Sequence, residues 1–157
     1  LSSTRIELGK ALAAAMVVVG CCLGVAKDAR ATLGGDAASV VANEKTLAAT
    51  RRVEKVAAGD RHELTLPSGI VVHEYVSPSG AVYAITWSGP HMPDLRELLG
   101  AYFPQLASRS RRGGHHRVSL NGADFVLQSQ GHHHTFSGRA WVPSLVPAGV
   151  KIDASIQ

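Results

Sequence analysis

Pro-Ser-Gly occurs twice in close succession, and each copy opens a β-rich run: "LPSGIVVHEYV" and "SPSGAVYAITW". Proline presets the φ of a turn's second residue, and glycine reaches the left-handed backbone that other residues avoid. Pro67 and Pro78 stand so close that only a short strand fits between their turns. The pattern therefore forces antiparallel neighbours joined by tight turns, a meander with strands at roughly residues 62–66, 70–76 and 81–87. In the middle run Val72, Glu74 and Val76 share one face, and Val71, His73 and Tyr75 share the other. Both faces are partly apolar, so the pattern leaves open which of them meets the core.

Two helices flank this meander. Asp36 suits an N-cap, and Val40, Val41, Leu47 and Ala48 recur near helical spacing, which predicts a helix over about residues 37–49. "RRVEKVAAGDR" reads as a charged connector with at most an irregular strand. The main amphipathic helix is predicted at about residues 93–103, where Pro93 and Asp94 suit the first turn. Leu95, Leu98, Leu99, Tyr102, Phe103 and Leu106 form its apolar stripe, and Pro104 should end or kink it near Phe103. Asp94 and Glu97, one turn apart, read as capping residues rather than an acid/base pair.

Beyond the helix lies the basic loop "ASRSRRGGHHR", and then Asn121-Gly122 between two β runs, a hairpin signal. A last β run over about residues 132–142 precedes "VPSLVPAGV", whose prolines forbid a central strand. Residues 151–157 are expected to be a frayed tail. The fold class is α+β: an antiparallel sheet of about five or six strands, the main helix packed on one face, and the second, N-terminal helix beside it.

The first residues belong to a different physical regime. Arg5 and Lys10 precede an almost wholly apolar run at residues 11–26, and Ala29 and Ala31 then have the small-x-small spacing of a signal-peptidase site. The run is shorter than the ~18 residues of a membrane span. Basic head, apolar run and small-residue exit read as a secretory signal over residues 1–31, cleaved near Ala31. The expected product is a single exported domain over residues 32–150 plus the tail, periplasmic or secreted. An alternative reading takes "VVGC" as a lipoprotein box that anchors the chain through Cys21. Cleavage removes Cys21 and Cys22, the chain's two cysteines, so thiol chemistry and disulfides leave with the leader. It also removes four cations and two carboxylates, lowering the net charge from +4 to +2. The basic balance is thus weak support for a nucleic-acid partner.

Little else in the chain looks like chemistry. "QGHHHTFSGRAW" carries three consecutive histidines, and His115 and His116 make a pair nearby. If the run is one strand, His132, His134 and Phe136 share a face, so only His132 and His134 can chelate a zinc or another divalent transition metal together. Remaining ligands would come from His115, His116, His73 or Asp124. His73 and Glu74 project to opposite faces of their strand and make no dyad. HExxH, the Gly-x-Ser-x-Gly elbow and a phosphate-binding glycine loop are all absent, so no catalytic or cofactor-binding residue is assigned. Arg109, Arg111, Arg112 and Arg117 are candidates for contact with an anionic partner, and the run lacks the interleaved aromatics that nucleic acid would want.

"ATLGGDAASV", the long block from "TLPSGIVVHEYV" to "LRELLGAYF", and "GRAWVPSLVPAGV" resemble, in sequence and order, an uncharacterised family of exported proteins of Gram-negative bacteria, domain of unknown function 2844. The resemblance covers nearly all of the chain after residue 31. It implies export and one compact domain, and it implies no activity. It also implies a lone histidine after glycine at His132, so the run through His133 and His134 departs from the family pattern. The sequence thus reads as an exported cell-envelope protein, a non-enzymatic binding or accessory module with an envelope protein or anionic envelope polymer as partner. The alternative is a metal-binding protein or metal-dependent enzyme using His132 and His134.

Overall fold

Both Pro-Ser-Gly turns form, and they form alike. The Gly69 N–H donates to Leu66 O at 3.0 Å, and the Leu66 N–H donates to Ile70 O at 2.8 Å. In the second turn Gly80 donates to Ser77 O and Ser77 donates to Ala81 O, each at 2.8 Å. The glycines sit at φ +80° and +86°, which is the three-residue hairpin pattern.

In the computed structural model, which describes residues 33–110 and 117–156, these turns connect the middle of a larger sheet. Seven antiparallel strands run β1 (Thr50–Val56), β2 (Gly59–Thr65), β3 (Val71–Val76), β4 (Val82–Gly89), β5 (Arg117–Asn121), β6 (Val126–His132) and β7 (Thr135–Trp141). Their spatial order is β1-β2-β3-β4-β7-β6-β5. Two meanders therefore meet at the β4–β7 seam, where Ala84 to Gly89 pair with Trp141 to Phe136.

The count exceeds the expected five or six because "TRRVEKV" is a full strand. It lies at the sheet edge and buries neither face, so apolar alternation does not reveal it. Backbone pairing with β2 along its whole length holds it, from Thr50 opposite Thr65 to Val56 opposite Gly59, flanked by ion pairs of Lys55 to Asp60 and Arg51 to Glu44, each at 2.7 Å, and of Glu54 to Arg61. A second difference lies at residues 132–142, which are not one strand. β6 ends at His132, β7 starts at Thr135, and His133 and His134 are the turn between them. The Asn121-Gly122 hairpin forms as well, but through a longer loop in which the Gly122 N–H donates to Phe125 O at 2.9 Å.

Helices cover one face. Helix α1 (Ala37–Thr46) is capped by Asp36, whose Oδ1 accepts from the Ser39 N–H at 2.9 Å. It ends three residues before the expected boundary, in a turn where Ala48 has φ +48°. The main helix is broken into α2 (Leu95–Leu99), a 3-10 turn (Gly100–Tyr102) and α3 (Phe103–Ser110). The break falls at Gly100 rather than at Pro104, which occupies the first turn of α3, where its missing N–H costs nothing. Asp94 Oδ1 accepts from the Arg96 and Glu97 N–H groups at 2.8 and 3.4 Å, so it caps α2.

Val40, Leu98, Leu99 and Leu106 from the helices pack with Leu64, Val72, Ile85, Trp87, Leu127 and Ala140 from the sheet. At the seam Trp87 lies over Gly138, where an added Cβ would fall 2.2 Å from the indole. On the opposite face a bulge between β3 and β4 gathers Tyr75, Tyr83 and Ala84. The C-terminal segment crosses this patch through a 3-10 turn (Pro143–Leu145) and helix α4 (Ile152–Ser155), and Ile156 is only 2% exposed. Within the tail, expected to fray, Ile156 is thus packed down. Among the described residues no helix is long and apolar enough to cross a membrane. The leader, with Ala29, Ala31, Cys21 and Cys22, lies outside the described residues.

Candidate functional site

The face opposite the helices is only partly covered. Past the C-terminal segment the sheet opens into a concave basin of about 660 Å³. Strand alternation decides its lining: on β3 and β4 it receives His73, Thr86 and Ser88, the outward partners of Val72, Ile85 and Trp87. From β7 and β6 come Ser137, Arg139, Gln128 and Gln130, and from the edge strand β5 come Arg117 and Ser119. Ile156 of the tail forms part of the wall. Hydroxyls, amides, two guanidinium groups and one imidazole alternate there with apolar surface from Val71, Trp87, Val118 and Ile156, and none of these lining residues is acidic.

Several of these groups are fixed in place. Arg139 donates from Nε to Gln128 Oε1 at 2.9 Å and from Nη2 to Asp153 Oδ1 of α4 at 2.7 Å, and it lies 5.6 Å from the Trp141 ring centre. His73 bridges Glu63, at 3.3 Å from Nε2, and Thr86, at 3.4 Å from Nδ1. Gln130 donates to Ser137 Oγ at 3.3 Å. The basin thus presents positioned donors and acceptors on paired strands, set among apolar side chains.

Beneath the helical face lies a second polar group. Glu74 is 1% exposed, accepts from Asn43 Nδ2 at 3.1 Å through Oε1, and leaves Oε2 without a hydrogen-bond partner. Burial pushes its carboxyl up to about 7, with the Asn43 hydrogen bond pulling the other way. Its cross-strand neighbour His62 is also buried, and burial together with the Arg51 charge holds that imidazole below its ordinary value. Glu74 lines the core rather than the basin, so it and His73 do face opposite ways.

The histidine candidates are dispersed. His133 and His134 have φ +38° and +62°, so the two-residue turn between the paired His132 and Thr135 is of the primed type. One strand face therefore does not carry His132 and His134 together, because the chain reverses between them. The His132 and His133 ring centres lie 4.1 Å apart at this exposed tip. Asp124 is in the loop at the far end of β6, and His73 is three strands away, so the fold gathers neither. Among the described residues no group of three or more metal-ligating side chains forms. His115, His116, Arg111 and Arg112 lie outside the described residues; Arg109 belongs to α3, and Arg117 reaches the basin rim.

Sequence reasoning missed the basin. Its signal was present in the polar pairs Thr86/Ser88, Gln128/Gln130 and Ser137/Arg139, each spaced by two on a strand whose other face is buried. What was missing is the knowledge that β7 inserts beside β4, which brings those pairs together.

Fold and site define an α+β domain that shields one sheet face with helices and presents an open concavity on the other. The chain belongs to the family described as Protein of unknown function (DUF2844), matched over residues 29–155. No curated protein and no solved structure matches it.

Proposed function

We propose that this chain is an exported binding or accessory module of the cell envelope, non-enzymatic, with the sheet basin as its contact surface. The observation that carries the reading is the open basin itself: strands β3 to β7 position a lining of mixed polar and apolar side chains, and the described helices leave it accessible. The leader read from residues 1–31 supports export, and Leu33 follows its small-residue exit in the sequence. From that point the chain is tied in at once, with the Leu33 N–H donating to Leu98 O at 3.0 Å and the Gly34 N–H to Val82 O at 2.9 Å.

Two measurements test this. A C-terminal reporter active only outside the cytoplasm should be active when fused here, and the mature protein should begin near Thr32. A full-length, uncleaved cytoplasmic product would end the export reading. Tag-free protein should be retained on isolated envelope material, and filling the basin by Ser137→Trp should abolish retention without lowering Tm. Retention indifferent to that change would remove the basin from the reading.

The alternative, metal binding centred on His132, draws on the exposed turn where two imidazoles nearly touch. Elemental analysis of protein purified without a metal column decides it. A stoichiometric metal lost in the H132A/H134A double mutant would favour this reading, and its absence would retire it.

A further inference from the structure

Resting on the basin reading, we infer that the occupant is an acidic polysaccharide, with Arg139 as the anchor for its acid groups. Charge is the first argument. The basin places Arg139 within its wall and Arg117 at its rim; the nearest carboxylates, Asp153 on Arg139 and Glu63 on His73, stand just outside the lining. Cations in a site free of lining carboxylates select an anion, and a guanidinium suits a carboxylate because it can offer two parallel N–H donors.

The second argument is that the protein already seats a carboxylate there. Asp153, at 88% side-chain exposure, reaches in from the four-residue helix α4 and accepts from Arg139 Nη2 at 2.7 Å. Its bond is an exposed ion pair, of the kind that contributes little and yields easily. Arg139 itself does not depend on that partner for position, because Gln128 holds its Nε and Trp141 lies beneath it. Asp153 thus marks where an incoming acid group would dock, and it gives way to that group.

The rest of the lining favours a glycan. Thr86, Ser137 and Gln128 offer neutral donors and acceptors in rows along the strands, beside apolar surface from Val71, Val118 and Ile156, a mixture that suits the hydroxyls and C–H faces of a sugar ring. Sugar hydroxyls, which both donate and accept, complement such rows. A peptide would be read at an unpaired strand edge, which here is β5 at one side of the basin, so an acidic peptide is the rival that poly-glutamate tests.

The experiment titrates oligogalacturonate into the mature protein, following backbone amide shifts on β6 and β7, with a neutral oligosaccharide of equal length and poly-glutamate as comparisons. The expected result is binding to the uronate alone, weakened by salt. Arg139→Gln should weaken it about tenfold or more, through loss of the charge-assisted bonds. Asp153→Asn, which removes the internal competitor, should tighten it by about threefold. No uronate binding by D153N overturns the inference, as does equal binding of the neutral sugar. Poly-glutamate binding as tightly would overturn it in favour of an acidic peptide. If S137W loses envelope retention while the wild type ignores uronate, the basin reading stands and the acidic-glycan assignment falls; if retention is also unchanged, both fall.

Discussion

Glu74 is the residue where folding and protonation are most tightly joined. Its carboxyl is raised to about 7 in the fold, against 4.5 for the free group, so the native state favours the neutral form. The native chain binds the extra proton between those values, so stability must fall as pH rises from about 4.5 to 7 and level off above. The full span corresponds to about 3 kcal/mol. His62 acts in the opposite sense: its lowered value favours the neutral imidazole, and that contribution is lost as pH drops below its ordinary range. Glu74→Gln should therefore raise stability at pH 8 and remove the downward slope between pH 5 and 7, exposing the His62 slope alone. Urea denaturation across that range measures both. Gly138 gives a second residue-scale prediction. A methyl there meets the Trp87 ring and the Gln128 carbonyl, at 2.2 and 2.8 Å. Gly138→Ala should cost about 3 kcal/mol as overpacking, read as a lowered Tm and altered tryptophan fluorescence.

At the scale of elements the β6–β7 turn stands out. Two non-glycine residues hold positive φ there, each against an intrinsic preference of roughly 1–2 kcal/mol. Replacing His133-His134 by Asn-Gly, which suits a primed turn, should raise stability by about 1 kcal/mol in the same denaturation assay. This turn also shows why part of the architecture was hard to read. Three polar residues before Thr-Phe look like a strand start, and histidine carries no turn signal of its own, so the reversal was invisible. The Pro-Ser-Gly hairpins and the Asp36 and Asp94 caps were legible because local backbone chemistry alone dictates them. β1 was not, since its strand character comes from pairing with β2 and from ion pairs to Glu44, Asp60 and Arg61, all of them tertiary. The helix break moved from Pro104 to Gly100 because proline is tolerated where a new helix begins. The candidate site was least legible of all. Its members are unremarkable serines and glutamines until strand order brings them together.

On the scale of the whole molecule, the order β1-β2-β3-β4-β7-β6-β5 joins two sequence-local meanders by a single long-range pairing. Hairpin contacts close short loops, whereas Ala84 must find Trp141 across the entire helical connection. Loop closure of that span is the entropic hurdle, so the docking of the halves should limit the folding rate. Gly138→Ala, at that docking surface, should slow refolding as well as lower stability if the seam is formed in the transition state. The tail adds a latch to this arrangement, since Ile156 anchors on Tyr75 and Tyr83 from the first half while the tail itself follows β7.

An assembly with one seam is divisible at that seam. Polypeptides corresponding to residues 32–110 and 111–157, prepared separately, should be poorly ordered alone because each leaves a central strand unpaired. Mixed, they should recombine into the native sheet, bury Trp87 again and restore the basin, whose walls come from both pieces.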